Sequence, residues 1–80
     1  MILLLLIRQT IKGDELMYYN RLKEARESRG MTMSKLAELS GLSVGYICHL
    51  ENGTRKNPSI ETMEKIANVL GKSIFEVFFK

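Results

Sequence analysis

The sequence predicts an all-α bundle of five short helices behind a short apolar arm, and three observations lead to it. After residue 17 the chain is punctuated by Ser, Thr or Asn at helix-start positions and by glycines at helix ends. Between those marks, apolar residues recur at helical spacing, and no alternating strand pattern interrupts them. Aromatic residues make up only 8% of the chain and tryptophan is absent, so the core rests on Leu, Ile, Val, Met and Ala, which suits packed helices better than a sheet. Eighty residues allow one domain with no separate sensory or catalytic module. A chain of this size buries roughly 60% of its unfolded surface, so a homodimer is expected.

The elements follow in order. Asn20 is placed to cap a first helix that carries Leu22, Ala25 and the stems of Arg26 and Arg29 on one side and ends at Gly30. Thr32 caps a second, in which Met33, Leu36 and Ala37 form a stripe before Gly41. Ser43 caps a third, closed by Gly53. Beyond Pro58, Ser59 caps a longer helix with Ile60, Met63, Ile66, Ala67 and Leu70 inward and Gly71 at its end. Ser73 caps a last short helix that carries Ile74, Phe75, Val77, Phe78 and Phe79.

Residues 1–16 are set apart as an arm, and residues 17–80 as the helical domain. The apolar run Ile2–Ile7 is far below the ~18 to 20 residues that cross a bilayer. It also lacks the basic start and small-residue cleavage site of a signal peptide. Two readings stay open. The arm is a strand that pairs with its copy across a two-fold axis, or it is an extension that precedes a true start at Met17.

The positive charge is concentrated. Between Asn20 and Asn57 there are seven Lys or Arg against four Glu, whereas residues 1–19 and 58–80 are each balanced. An excess confined to the middle of the chain is what a surface for a polyanion requires. Cys48 and His49 are the sole cysteine and histidine, which leaves no disulfide, no metal cluster and no thiol to resolve an oxidised Cys48; a reducing cytoplasm is the expected setting. With no nucleophile–base constellation, paired carboxylates or phosphate-cradling glycine loop, the chain is not expected to be an enzyme or to need a cofactor.

The second and third helices are joined only by Ser40-Gly41-Leu42-Ser43, a connection that suits a helix-turn-helix. The LA of the second helix, the glycine of the turn, the YI..LENG of the third helix and the PS..T...IA..LG of the fourth together resemble the phage-repressor and Cro type helix-turn-helix domain, the XRE family, over residues 20–79. That resemblance implies a five-helix, lambda repressor-type bundle. Two positions depart from the family pattern: Ser40 stands where an apolar or Ala residue is usual, and Met33 where Gln is common.

The recognition helix is then expected at about residues 43–52. With Ile47 and Leu50 inward and about 100° per residue, Gly45 and His49 face outward, flanked by Cys48 and Asn52. Candidate base contacts are Ser43, Val44, Gly45, Tyr46 and His49: a hydroxyl, a thymine-methyl contact, a close backbone approach, an aromatic flank and a donor to guanine or phosphate. The plainer roles are a tolerated glycine at Gly45, a solvated His49 and a core-edge Tyr46. No Arg–guanine or Gln–adenine pair is available, so the base sequence read is open.

Candidate phosphate contacts are Thr32 with the amides of Met33 and Ser34 at the start of the second helix, and Asn52, Arg55 and Lys56 after the third. The resemblance also implies a structural salt bridge between Arg26 and Glu51, and dimer contacts through the C-terminal helices at Ile74, Phe75 and Phe78. The arm is the other route to a dimer.

The function implied is a cytoplasmic, sequence-specific reader of double-stranded DNA that acts as a homodimeric repressor on an inverted repeat, with no membrane role. Two alternatives share the fold. One is an antitoxin-type protein that also binds a partner such as a toxin or anti-repressor through an apolar surface at Phe75, Phe78 and Phe79; the other is a restriction–modification controller.

Overall fold

A computed structural model describes residues 18–79, so the arm at residues 1–16 and its two readings lie outside the described residues. Five helices follow one another: α1 (Leu22–Ser28), α2 (Met33–Ser40), α3 (Val44–Glu51), α4 (Ile60–Leu70) and α5 (Ile74–Phe78).

Four of the five start in the same way. The side-chain oxygens of Thr32, Ser43, Ser59 and Ser73 accept from the amides of Lys35, Tyr46, Thr62 and Glu76, each of which would otherwise lack an intrahelical acceptor. At α5 the Glu76 carboxylate returns the bond to the Ser73 amide at 2.9 Å, which completes a capping box on a helix of only five residues.

The first helix departs from expectation. Arg21, not Asn20, occupies the cap position, and its side chain makes no capping bond. Asn20 acts one residue earlier: its Oδ1 accepts from the Leu22 amide at 2.9 Å while its amide nitrogen donates to the Leu50 carbonyl, so one side chain starts α1 and joins it to the end of α3. The last helix is also shorter than expected. Phe79 lies outside it in extended backbone, bridged antiparallel to Tyr18, with the Tyr19 and Arg21 amides donating to the Phe78 and Val77 carbonyls at 2.8 Å. Among the described residues, that bridge is the only β pairing.

Leu22, Leu36, Ile47, Leu50, Ile66, Leu70, Val77 and Phe78 are fully enclosed and form one core that draws on all five helices. α2 packs on α3 and α4, α1 on α3 and α5, and α4 on α5. The helix-turn-helix is thereby held from two sides. Its turn depends on Gly41, at φ 73°, followed by the Leu42 amide donating to the Ala37 carbonyl at 3.0 Å. Ser40 is buried, and its hydroxyl donates to the Leu36 carbonyl at 2.7 Å, so a polar residue replaces an apolar one without leaving an unpaired group.

The expected dimer residues are redistributed. Ile74 and Phe78 are inside the protomer's own core, Phe78 stacked on Tyr18 with ring centroids 6.3 Å apart, so neither is open to a second chain. Phe79 is likewise buried. Of the aromatic group proposed as a partner surface, only Phe75 stays partly exposed. The reason is geometric: a five-residue helix that closes the bundle turns most of its surface inward, with Phe79 folded over Tyr18 as a lid.

Candidate nucleic-acid interface

The interface is built on α3, whose two sides have separate duties. Ile47 and Leu50 anchor the inner side. Next to them Glu51 receives Arg26 of α1 in a forked pair, Nε to Oε2 at 2.6 Å and Nη2 to Oε1 at 3.1 Å. The third arm of the guanidinium, Nη1, donates to the Met31 carbonyl at 2.7 Å. The pair is nearly enclosed, at 10% and 7% side-chain exposure, and the Glu51 bond holds the Arg26 pKa above its ordinary value. One ion pair thus fixes α1, the α1–α2 turn and α3 to one another, which sets how far α3 stands proud of the bundle.

The outer side is free. Val44, Gly45 and His49 are exposed, and the His49 side chain has no partner among the described residues. A Cβ built on Gly45 meets no atom within 4 Å. The fold would therefore accept a larger residue there, and the missing side chain leaves the helix surface lower at that point. Ser43 is exposed, and its oxygen accepts from the Tyr46 amide at 3.0 Å, which leaves its O–H free to donate outward.

Anion-binding groups flank this face. At the start of α2 the Lys35 amide is taken by Thr32 Oγ1 and the Leu36 amide by the Thr32 carbonyl, so the amides of Met33 and Ser34 are the unoccupied donors of the first turn. The Met33 side chain, where the family pattern has Gln, lies half-buried against the core. It shares a shallow groove with Cys48 and Asn52, and that groove is also lined by Lys23, Arg26 and Glu51. With Arg26 neutralised by Glu51, Lys23 carries the net charge of the groove. The sequence reading missed Lys23, although it stands one helical turn before Arg26 and so shares the face of α1 that meets α3.

After α3 the chain folds back along it. Asn52 Oδ1 accepts from the Thr54 amide at 2.9 Å, and the Arg55 amide donates to the His49 carbonyl at 3.0 Å. The Arg55 guanidinium then lies over the Tyr46 ring, 5.1 Å from its centroid. Two residues expected to act separately, Tyr46 on bases and Arg55 on phosphate, are joined; Lys56 remains exposed beyond them. Nothing in the nine-residue separation announces this contact, because a loop and not a helical period produces it.

Tyr18 lies behind this region. Its hydroxyl is buried without a partner among the described residues, and burial first, then the neighbouring Tyr46, raises its pKa. No cluster of His, Cys, Asp or Glu suited to a metal occurs among the described residues, and none of their helices is long and apolar enough to cross a membrane.

Comparison with known proteins agrees with this geometry. The profile of the Helix-turn-helix family matches residues 22–77. The transcriptional regulator SinR of Bacillus subtilis is 37% identical over 54 residues, which is 68% of this chain and 49% of SinR, so the chain spans about half the length of the curated relatives it matches. The crystal structure of SinR in complex with DNA superposes with a TM-score of 0.66 at 37% identity, over 68% of this chain and 86% of that one. The restriction-modification controller protein C.AhdI from Aeromonas hydrophila gives a TM-score of 0.66 at 38% identity, over 70% and 83%. The forked Arg26–Glu51 tie, the Gly41 turn and an unpartnered outer side on α3 thus sit in a chain that belongs to the XRE-type helix-turn-helix family of DNA-binding transcriptional regulators.

Proposed function

We propose that this domain reads a specific double-stranded DNA sequence with the outer side of α3 and represses transcription as a homodimer on an inverted repeat. The observation that carries the reading is the outer side itself: Val44, Gly45 and His49 are exposed on a helix whose inner side is fully engaged, and Gly45 leaves room that the fold does not need. Around it stand donors that a phosphate backbone would use, namely the Met33 and Ser34 amides, Lys23, Asn52, Arg55 and Lys56. Gly45 lets the helix backbone approach the floor of the major groove, Val44 offers a methyl surface to thymine, and His49 and Ser43 offer donors to base edges. Repression follows most simply by occlusion of a promoter. A partner protein, such as the one in the solved complex of SinR with SinI, would meet only Phe75 of the expected aromatic group, because Phe78 and Phe79 are inside the core.

The test is fluorescence-anisotropy titration of the full chain with a duplex recovered from a random-sequence library, against a scrambled duplex, over a salt series. Selective binding that falls steeply with salt and is lost in Gly45→Glu, with helical content unchanged, supports the reading. Equal affinity for both duplexes would refute sequence-specific recognition. A complex with two chains per duplex by light scattering would support the homodimer, and one chain per duplex would overturn it.

A further inference from the structure

We infer that Tyr46 is a positioning residue rather than a base-reading one: its ring holds the Arg55 guanidinium beside the outer side of α3, aimed at a DNA phosphate that flanks the groove. The inference rests on the DNA-binding reading above and deepens it. Three observations converge. Tyr46 is only partly exposed, whereas Val44, Gly45 and His49 of the same helix stand free, so its ring is on the flank and not at the front. Arg55 is exposed, yet its guanidinium is over that ring at 5.1 Å, with no carboxylate paired to it among the described residues. Its backbone is also fixed, by the bond to the His49 carbonyl at 3.0 Å and by the Asn52–Thr54 turn just before it.

A guanidinium held over a ring by cation–π attraction does not use its N–H donors as hydrogen-bond partners of a side-chain acceptor. Those donors are what a phosphate accepts from in a forked contact, and a group already ordered loses less freedom when it binds. A free arginine on a loop would have to be ordered by the DNA; this one is ordered by Tyr46. The arrangement also separates duties along α3. Val44, Gly45 and His49 are left to the bases, and the Tyr46–Arg55 unit sets the height and register of the helix against the backbone.

The test is a double-mutant cycle on the full chain, read on the selected duplex and on a scrambled duplex. Arg55→Ala is expected to weaken binding to both about tenfold and to reduce the salt slope by about one. Tyr46→Ala is expected to weaken both about threefold, the range of an exposed cation–π contact, while Tyr46→Phe keeps wild-type affinity because the ring remains. The double variant should bind no more weakly than Arg55→Ala alone. In the free protein, the Arg55 side-chain proton resonances should move toward random-coil values in Tyr46→Ala and not in Tyr46→Phe. Losses that multiply in the double variant would overturn the inference, as would a Tyr46→Ala effect confined to the selected duplex, since that is the behaviour of a base contact. Wild-type chain that binds neither duplex would overturn the DNA-binding reading itself, and this inference with it.

Discussion

The two sides of α3 differ in how completely the protein uses them. On the inner side every polar group is answered: Glu51 takes both prongs of Arg26, the Leu50 carbonyl accepts from Asn20, and Ile47 and Leu50 are sealed. On the outer side Val44, Gly45 and His49 are exposed, space is open around Gly45, and the His49 side chain has no partner among the described residues. The inner side therefore spends its chemistry on stability and position, and the outer side keeps its chemistry available. Substitutions on the two sides should separate folding from recognition cleanly, and the comparison breaks if they do not.

The largest effect is expected from Glu51→Ala. It leaves the Arg26 guanidinium enclosed with only the Met31 carbonyl, and breaking a buried pair from one side costs about 3 to 5 kcal/mol. Urea denaturation should show a loss of that order. A loss under about 1 kcal/mol would mean that the pair behaves as a surface bridge.

Gly71→Ala comes next. Gly71 ends α4 at φ 67°, and a Cβ there would come within 2.5 Å of Arg29 Nη2, whose guanidinium lies across the helix end with Nε donating to the Leu70 carbonyl at 2.8 Å. The left-handed backbone alone costs about 1 to 2 kcal/mol with a side chain, and displacement of Arg29 adds to it. Denaturation of Gly71→Ala beside Arg29→Ala would sharpen the point, since the double variant should lose less than the sum of the singles.

Gly45→Ala should have the opposite sign. Open space around the position and a helical backbone predict a gain of about 0.5 to 1 kcal/mol from helix propensity, with weaker DNA binding as the helix surface rises. A destabilised Gly45→Ala would show that the fold, not the groove, requires glycine there.

The smallest effect concerns pH. The Ser73 amide and hydroxyl hold the exposed Glu76 carboxyl below its ordinary pKa. A depressed folded pKa means a contribution present above the unfolded value, near 4.5, and lost as pH falls through the folded one. Glu76→Gln should therefore flatten the acid side of the stability–pH profile, measured by thermal unfolding. An unchanged acid limb would separate the capping box from acid stability.

Most of the fold was legible in the chain because its signals are local. Thr32, Ser43, Ser59 and Ser73 each act within three residues, and Gly41 and Gly71 each act at their own backbone, so caps and stops need no knowledge of distant partners. The outward direction of Gly45 and His49 follows from the helical repeat for the same reason. Asn20 was misplaced by one residue because its amide is claimed by Leu50, 30 residues away, which no local rule contains.

By itself, then, the sequence determined the number and kind of helices, the helix-turn-helix, the inward stripe on each helix and the identity of the outer side of α3, all of them consequences of short-range capping and the 3.6-residue period. Tertiary structure alone decided which ends meet and which aromatics are sealed. It paired Tyr18 with Phe79, closed Ile74 and Phe78 into the core, laid Arg29 over the end of α4, brought Lys23 to the groove beside Met33, and folded Arg55 back onto Tyr46. Those outcomes depend on how a small bundle closes, where burial of a shared core selects among contacts that local spacing leaves equally open.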